Sequence, residues 1–338
     1  MNWKRQLVVD ALAGEGLEAK VGDCIPVQPE SRRRATFTAA RSARGIHLGF
    51  LARQSHDIVD LEQCVVLEKA ISGRFDILRK LASRVLQGHE PLQLAVFACD
   101  NGLDIALGGE RELDDARRNA ITKWAVENSV SRVSHNGEVI IETERPVLLI
   151  AGAKLTPPPG NFAQAVAEQE NRMVTLVRSH LKKSRKVVDL FSGFGTFALN
   201  IADKSAVHAV EHEKDALASL DQSVRHQSGI KKLTHEQRDL FRRPLQTREL
   251  DSFSGIIFDP PRAGAEAQAR EIARSRVSKI AAISCNPSTL ARDLRILVEG
   301  GYEIKSVTPI DQFLYTPHVE VVALLERKKT RPQRKIFG

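Results

Sequence analysis

Several features that would assign a protein class directly are missing from this sequence of 338 residues. Its four cysteines, at positions 24, 64, 99 and 285, are too few and too far apart for a disulfide framework or a C-x-x-C zinc site. No window approaches the ~20 apolar residues of a membrane span, and charges interrupt the first residues before a signal peptide could form. A Gly-Lys-Ser/Thr sequence is also lacking, which excludes the ordinary nucleoside triphosphatase loop. These absences predict a cytoplasmic protein in a reducing compartment, without membrane association.

Basic residues are in excess: 50 Lys and Arg against 42 Asp and Glu give a formal net charge of +8. This excess favours an anionic partner such as nucleic acid, although charge alone does not identify it. Five arginines fall between Ser31 and Arg44, at positions 32, 33, 34, 41 and 44. On a strand, alternate arginines share a face, and such a stripe is open to two interpretations, phosphate contacts or a solvated sheet face. The tail from Arg327 to Lys335 holds six basic residues in nine and leaves the same two alternatives.

The first 155 residues have the pattern of a small α+β domain. Apolar spacing from Trp3 to Ala13, followed by two glycines, predicts a helix. Two pairs of apolar runs flank turn sequences, Asp100-Asn101-Gly102 and Asn136-Gly137, and therefore predict hairpins over 92–107 and 131–142. A helical pattern over 113–128 lies between them. The residues of this domain show no chemistry of their own. An RNA contact for this domain is implied only by the family resemblance given below.

A composition break at Pro157-Pro158-Pro159-Gly160 predicts a junction, and from residue 156 onward strands alternate with helices. This alternation predicts a doubly wound, Rossmann-like α/β domain over 156–338, preceded by the smaller α+β domain over 1–155. In such sheets ligands bind at the carboxyl ends of the strands. The predicted strands are 186–191, 206–211, 255–258, 279–284 and 319–325, and the predicted helices are 162–180, 197–203 and 214–228.

The first motif with chemical content runs from Val188 to Ala198, where a strand meets a glycine turn and then a helix. Gly193 and Gly195 let the backbone approach a ligand closely, and G-x-G-x-x-A fits a nicotinamide or an adenosyl cofactor equally well. The next strand ends at Glu211, whose carboxylate can accept hydrogen bonds from ribose hydroxyls. Asp239 follows the third strand position, where an acid can meet an adenine amine. Taken singly, each acid is also compatible with a helix cap or a surface residue.

Two further motifs follow apolar strands and favour one class of cofactor enzyme. Asp259-Pro260-Pro261-Arg262-Ala263-Gly264 forms a rigid turn that can hold a carboxylate and a loop backbone against a flat ring. Ser284-Cys285-Asn286-Pro287 follows the next strand in the same way, which places Cys285 at the ligand edge of the sheet. The alternative for an isolated cysteine is an inert buried thiol.

The ordered set of Asp189-Leu-Phe-Ser-Gly-Phe-Gly-Thr-Phe, Asp259-Pro-Pro-Arg-Ala-Gly, Ser284-Cys285-Asn286-Pro287 and His318-Val319-Glu320 resembles the S-adenosylmethionine-dependent RNA 5-methyluridine methyltransferases. These enzymes act on uracil in ribosomal or transfer RNA. The resemblance covers the carboxyl half and, more loosely, residues 1–70. It implies that Cys285 is the nucleophile and Glu320 the base. It also implies that S-adenosylmethionine is the cofactor, lined by Gln164, Phe191, Gly193, Gly195, Thr196, Glu211, Asp239 and Asp259. Many members carry Asn where this chain has Thr196.

The chemistry of that family explains why a thiolate and a carboxylate are both needed. Carbon 5 of uracil is too weak a nucleophile to attack a sulfonium methyl, but addition of a thiolate at carbon 6 places negative charge on carbon 5. After methyl transfer a carboxylate must accept the proton on carbon 5 before the thiol is eliminated. A free thiol has a pKa of ~8.5, so Cys285 needs cationic or dipolar help, with Arg262 one candidate, or protonation of the uracil oxygen. The target uracil must also leave its stacked position in the RNA.

This chain departs from many relatives at its amino end. They carry an amino-terminal β-barrel and an iron–sulfur cluster held by a C-x5-C-x2-C run with a distant cysteine, and this chain has neither. Cys64 resembles the distant fourth ligand. Cys24 and Cys99 do not have the spacing of the clustered run and do not supply its three cysteine ligands. We therefore expect no iron–sulfur cluster and no metal site. The chain opens near where the cysteine run would end, which is compatible with a truncated form or a late start assignment.

The sequence is compatible with four functions. The favoured one is methylation of carbon 5 of a uridine in 23S rRNA through a covalent adduct between Cys285 and carbon 6. A tRNA substrate is the first alternative. The others are methylation of a nitrogen or another carbon without a covalent step, and an RNA-binding protein without catalytic activity. The sequence defines neither the uridine nor the oligomeric state.

Overall fold

The structure is a computed structural model that describes residues 2–43, 45–88, 90–109, 112–160, 163–225 and 227–328. The chain divides into two compact units, which are described separately. The central unit comprises Val27–Asn171 with Ala218–Gln227. The carboxyl unit comprises the described residues up to Pro26, Arg172–Leu217, and those from Ser228 onward.

The central unit is built on a mixed sheet of seven strands in the order β3-β2-β1-β4-β5-β6-β7. Neighbouring strands are antiparallel except β5 and β6, which are parallel. These strands are β1 (Arg34–Ser42), β2 (Gly45–Leu51), β3 (Ile58–Asp60), β4 (Leu92–Cys99), β5 (Gly102–Gly108), β6 (Arg132–His135) and β7 (Glu138–Glu142). The unit also contains α2 (Lys69–Ser72), α3 (Phe75–Val85), α4 (Asp115–Glu127) and the hairpin β8 (Leu148–Ile150) with β9 (Ala153–Leu155). Both hairpins that the turn sequences predict, β4 with β5 and β6 with β7, are confirmed.

The core of the central unit lies between its sheet and its helices. Helix α3 buries Leu78 and Leu81 on one face, as its apolar spacing requires. Phe75 meets the ring of Phe37 from β1 edge to face, with ring centroids 5.8 Å apart. Helix α4 adds the buried Trp124 to the same core.

The carboxyl unit contains the predicted doubly wound sheet, and this fold class is confirmed. Its strand order is β12-β11-β10-β13-β14-β16-β15, in which the first five strands are parallel to one another and β16 pairs antiparallel with both β14 and β15. The order reverses between β10 and β13, which is where open α/β sheets bind their ligands. The strands are β10 (Lys186–Leu190), β11 (Ala206–Glu211), β12 (Leu233–Gln237), β13 (Gly255–Phe258), β14 (Lys279–Ser284), β15 (Tyr302–Ile310) and β16 (Glu320–Arg327). The helices are α6 (Thr196–Ile201), α8 (Thr247–Leu250), α9 (Glu266–Arg274) and α10 (Pro287–Glu299), while α5 (Ala167–Leu181) and α7 (Lys214–Arg225) each span residues of both units.

The beginning of the chain belongs to the carboxyl unit, whereas the sequence pattern predicts it in the small domain over 1–155. Helix α1 (Asn2–Gly14) buries Val8 and Leu12 in the core of the carboxyl unit. Its Lys4 ammonium lies 2.6 Å from the carboxylate of Asp311, and both side chains are buried. This burial and this ion pair hold the first helix against the last strands. Membership of the carboxyl unit is therefore determined by these contacts and not by position along the chain.

The largest differences between predicted and observed helix bounds occur at two helices. The helix predicted over 162–180 begins at Ala167, since Ala165 offers its carbonyl to the backbone N–H of Arg33 and is held in a non-helical segment. Phe162 lies outside the described residues. The helix predicted over 214–228 ends at Arg225.

Candidate active site

The glycine turn after β10 has the backbone conformation that its sequence predicts. Gly193 and Gly195 have φ values of 53° and 94°, in the left-handed region that favours glycine, and helix α6 begins at the next residue, Thr196. Phe191 also has a positive φ of 63°, which is uncommon for a residue with a large side chain. A non-glycine residue held in this region indicates a position that the surrounding structure constrains, often for function.

Two acids at the carboxyl ends of neighbouring strands accept hydrogen bonds from the backbone. One carboxylate oxygen of Glu211 accepts from the N–H of Gly193 at 2.8 Å, and the other accepts from His212 at 2.6 Å. Asp239, two residues after β12, accepts from the N–H of Phe241 at 2.9 Å. Both carboxylates are therefore fixed in place, and each retains lone pairs for polar ligand groups.

Three aromatic rings lie together beside the glycine turn. The ring centroid of Phe191 is 5.4 Å from that of Phe241 and 6.2 Å from that of Phe258. Phe258 is buried and Phe241 is half exposed. The pair of Phe191 and Phe241 thus presents an apolar surface next to Asp239, suited to a flat ring. Sequence reasoning missed Phe241, although its position two residues after Asp239 was a usable signal.

Two carboxyl groups lie at the switch point of the sheet, with Asp189 buried and Asp259 half-buried. Burial raises the pKa of Asp189 well above its ordinary value, and the charge of Asp259 adds to the rise. Burial also raises the pKa of Asp259 itself to about 7. Asp259 directly follows β13, and its backbone N–H donates to the carbonyl of Leu190. Both carboxyls are consequently biased toward the neutral acid in the absence of a positively charged neighbour.

Cys285 and Glu320, which are 35 positions apart in the sequence, are brought together by the pairing of β14 with β16. These strands are antiparallel, and Ser284 lies opposite Val321. Extending this register by one residue places Cys285 opposite Glu320, where side chains of an antiparallel pair are neighbours. Cys285 is half-buried, and Glu320 is 4% exposed.

The electrostatic environment disfavours charge on both groups. Burial raises the pKa of the Cys285 thiol, with further increases from the carboxylates of Glu320 and Asp259 and only a small opposing effect of Arg262. Burial and the charge of Asp259 raise the pKa of Glu320 to about 8. At neutral pH the resting site therefore favours a thiol beside a protonated Glu320, and Arg262 is exposed and contributes little.

The two loops that carry Asp259 and Cys285 are hydrogen-bonded to each other. The side chains of Asn286 and Thr289 both donate to the carbonyl of Arg262, each at 3.1 Å. Asn286 also caps helix α10, because its side chain accepts from the N–H of Ser288. Gly264 closes the first loop with a φ of 70°, and a Cβ there would lie 2.7 Å from a carboxylate oxygen of Asp293. This network fixes both loops at the carboxyl edge of the sheet.

Gln164, the remaining predicted cofactor residue, lies in the central unit. Its backbone carbonyl accepts a hydrogen bond of 3.1 Å from Arg33, whose guanidinium also pairs with Glu170 at 3.0 Å. The backbone N–H of Arg33 donates to Ala165. Arg33 therefore holds the segment that bears Gln164 from both sides, a role that sequence reasoning missed.

The arginine stripe suggested by the segment 31–44 does not form as one exposed surface. Arg33 is 9% exposed and ion-paired, and Arg41 donates to the carbonyls of Ser83 and Leu86. Arg44 lies outside the described residues. The side chains are thus engaged in the central unit at several points, which alternation along a strand does not reveal.

Metal-binding clusters and membrane-spanning helices are both absent from the described residues. No group of three or more His, Cys, Asp and Glu side chains among them is arranged to hold a metal ion, and Cys64 is a half-buried free thiol. Within the same ranges, no helix has the length and apolar character needed to cross a membrane.

Comparison with known proteins identifies the class of protein that this fold and site define. A family model described as tRNA (uracil-5-)-methyltransferase matches residues 32–328, and the chain belongs to this family of RNA methyltransferases.

The similarity extends to individual relatives. An uncharacterized RNA methyltransferase of Brucella melitensis is 50% identical over 325 residues, which cover 96% of this chain and 78% of that protein. The 23S rRNA (uracil(1939)-C(5))-methyltransferase RlmD of Chromohalobacter salexigens is 31% identical, over 96% of this chain and 68% of that protein. Among solved structures, the tRNA (uracil-54, C5)-methyltransferase of Pyrococcus abyssi, in complex with S-adenosyl-L-homocysteine, superposes with a TM-score of 0.75. At 22% identity over 96% of this chain and 82% of that one, it shows the shared fold.

Proposed function

We propose that this protein transfers the methyl group of S-adenosylmethionine to carbon 5 of a uridine in RNA, with Cys285 as nucleophile and Glu320 as base. The observation that carries the proposal is the pairing of β14 with β16, which sets the thiol opposite a buried carboxyl group. A thiol and a carboxyl group side by side are the two groups that addition at carbon 6 and proton removal at carbon 5 require.

The residues near the glycine turn fit the proposed cofactor. Glu211 and Asp239 are fixed acceptors for hydroxyl and amine donors, and Phe191 with Phe241 offers an apolar surface for a flat ring. A Cβ added at Gly193 would meet no atom within 4 Å, so glycine is favoured at this position by the positive φ of the turn. S-adenosylmethionine, when bound, supplies a methyl group on a positively charged sulfonium. Gln164, whose segment is held by Arg33, stays a cofactor residue that the family resemblance implies.

In the proposed reaction the sulfur of Cys285 bonds to carbon 6 of the uracil while its thiol proton passes to solvent. The neutral carboxyl of Glu320 gives its proton to oxygen 4 in the same step and becomes a carboxylate. The electron pair of the ring double bond moves toward oxygen 4 and leaves carbon 5 nucleophilic. Carbon 5 would then bond to the methyl carbon as that carbon's bond to the sulfonium sulfur breaks, with S-adenosylhomocysteine as the leaving group and the proton of oxygen 4 released to solvent. The carboxylate of Glu320 next accepts the proton of carbon 5, the double bond re-forms, and the thiolate leaves carbon 6.

The charges at the site bear on how the thiol is activated. Arg262 has only a small effect on the pKa of Cys285, while neighbouring carboxyls raise it. Because Glu320 has a pKa of about 8, it is available as a neutral acid at the start of the reaction. We therefore favour protonation of the uracil oxygen by a buried carboxyl during addition over stabilisation of a free thiolate by Arg262.

A substrate in 23S rRNA is proposed ahead of tRNA. The support is the 31% identity to an enzyme named for uridine 1939 of 23S rRNA, whereas the tRNA enzyme of known structure shares 22% and supports the fold alone. Nucleoside analysis of rRNA and tRNA fractions from cells with and without the gene tests this choice. Loss of 5-methyluridine from tRNA alone would contradict it.

The nucleophile is tested with RNA containing 5-fluorouridine, in which carbon 5 carries no removable proton. The wild-type protein with S-adenosylmethionine should form a covalent RNA adduct that survives denaturing electrophoresis, and Cys285→Ala should form none. Cys64→Ala is the matched control, because Cys64 is also a half-buried free thiol. An adduct retained in Cys285→Ala would refute the assignment.

A further inference from the structure

The edge of the catalytic sheet opposite the candidate active site is strongly basic. Strands β10, β11 and β12 start at this amino edge, and the residues leading into β10 and β12 carry exposed cations. We call this set the amino-edge patch: Lys182, Lys183, Arg185, Lys186, Lys231 and Lys232.

Backbone hydrogen bonds show that the amino-edge patch is continuous. The carbonyl of Arg185 accepts from the N–H of Ala206 at 2.9 Å, at the start of β11. From the other side, the carbonyl of Lys232 accepts from Val207 at 2.9 Å. The cations before β10 and those before β12 therefore flank a single intervening strand, and strands in a sheet lie ≈4.8 Å apart.

Acidic side chains do not neutralise this patch. Within the described ranges, no ion pair joins any of its six members to a carboxylate, although many other surface arginines are paired, as Arg276 is with Asp251. Asp203 lies nearby and is shared by Arg178 and Lys204, whose ammonium adds a further exposed cation. Such an uncompensated group of cations attracts a polyanion.

The last strand leads the chain to the same edge. Strand β16 runs antiparallel to β14, so that Glu326 lies opposite Lys279 at the start of β14. Beyond Arg327 the sequence continues with Lys328, Lys329 and Arg331. Arg327 and Lys328, the part of this basic tail that the structure describes, thus lie on the side of the amino-edge patch.

We propose that the amino-edge patch binds backbone phosphates of the RNA substrate at a segment remote from the target nucleotide. This inference rests on the proposed function only in taking RNA as the substrate. Strands of five or six residues at ≈3.3 Å each separate the patch from Cys285 by at least about 17–20 Å along the strand direction. An RNA must therefore extend beyond the target loop to reach both sites, and lysines and arginines on a surface contact phosphates without reading sequence.

The test removes charge from the patch while leaving the candidate active site intact. The variant carries Lys182→Ala, Lys183→Ala, Lys231→Ala and Lys232→Ala, and its control carries Arg at the same four positions. Affinity is measured for a long rRNA fragment and for a short stem-loop that contains the same uridine, at several salt concentrations. Each lost phosphate contact lowers the slope of log affinity against log salt by roughly 0.7–0.9.

For the long RNA we expect the alanine variant to bind about tenfold or more weakly near 0.1 M salt, with a slope reduced by roughly 1.5–3. The arginine variant should keep both values, and all forms should bind the stem-loop within about twofold of one another. Unchanged affinity and slope for the long RNA would overturn the proposal, as would an equal loss on the stem-loop. Loss of binding to anionic phosphatidylserine vesicles with RNA binding unchanged would assign the patch to a membrane instead.

Failure of phosphate binding at the patch and failure of the proposed catalytic function give different experimental results. Binding is measured without methyl transfer, so a failure to form the covalent adduct at Cys285 does not alter the result. Adduct formation by the alanine variant on the 5-fluorouridine stem-loop shows in addition that its fold is intact.

Discussion

Replacing Glu320 with Gln should make the protein more stable, and increasingly so as the pH rises. Burial and the charge of Asp259 raise the pKa of this carboxyl from 4.5 to about 8. Between these two values the unfolded chain releases a proton that the folded chain keeps, so the free energy of unfolding of the wild type falls as pH rises. Glutamine has no proton to lose and removes this fall.

The magnitude follows from the two pKa values. At 1.36 kcal/mol for each pKa unit, the interval from 4.5 to about 8 corresponds to about 5 kcal/mol above pH 8. Relaxation and entry of water around an ionised Glu320 reduce this penalty, so we expect a gain of about 2–4 kcal/mol at pH 9 and almost none at pH 4.5. For a unit of this size the gain at pH 9 is a rise in melting temperature of roughly 5–15 °C.

The assay is thermal unfolding of the unliganded protein at pH 5, 7 and 9, comparing the wild type with Glu320→Gln. Glu326→Gln on the same strand is the control of opposite sign, because Lys279 holds the pKa of Glu326 below its usual value. Its ion pair stabilises the fold above the ordinary pKa and is lost on acidification. A difference between wild type and Glu320→Gln that does not change with pH would show that ionisation of Glu320 does not destabilise the fold.

Three further predictions concern chemistry, positioning and backbone packing. Glu320→Gln should slow tritium release from carbon 5 at least 100-fold while leaving cofactor affinity within about threefold, and equal losses in both would make this residue structural. Arg33→Lys keeps a positive charge beside the buried Glu170 but loses the planar guanidinium that holds the segment of Gln164. The KM for S-adenosylmethionine should therefore rise several-fold with kcat nearly unchanged, and a fall in kcat alone would contradict this. Gly49→Ala would put a Cβ 1.8 Å from the carbonyl oxygen of Val59 and should cost about 1–3 kcal/mol in urea unfolding, whereas Gly108→Ala, with an ordinary 3.5 Å contact, should cost less.

Local sequence signals predicted those parts of the fold that depend on neighbouring residues. Asp100-Asn101-Gly102 defined a hairpin because its turn residues permit a tight reversal between two apolar runs. The alternation of strands and helices likewise predicted the doubly wound sheet, since parallel strands require helical connections. These features follow from turn chemistry and hydrophobic period.

The parts that the sequence could not supply depend on contacts between distant residues. The closeness of Cys285 and Glu320 was implied by family resemblance, but their direct opposition requires the register of two antiparallel strands. Arg33 looked like a surface cation, and only the structure shows its burial against Glu170. Helix α1 joined the carboxyl unit through Lys4 and Asp311, which no local pattern links.

The ion pair between Lys4 and Asp311 has a consequence for the way the protein is made. At a synthesis rate of about 5–20 residues per second, the ribosome needs roughly 15–60 s to add the 307 residues that separate the two partners. During that interval the nascent helix α1 has no completed sheet against which to bury Val8 and Leu12, whereas Val27–Asn171 has already emerged. Helix α1 can therefore pack in its final position only after the last strands have been synthesised. Until then its apolar face is accessible to chaperones and proteases.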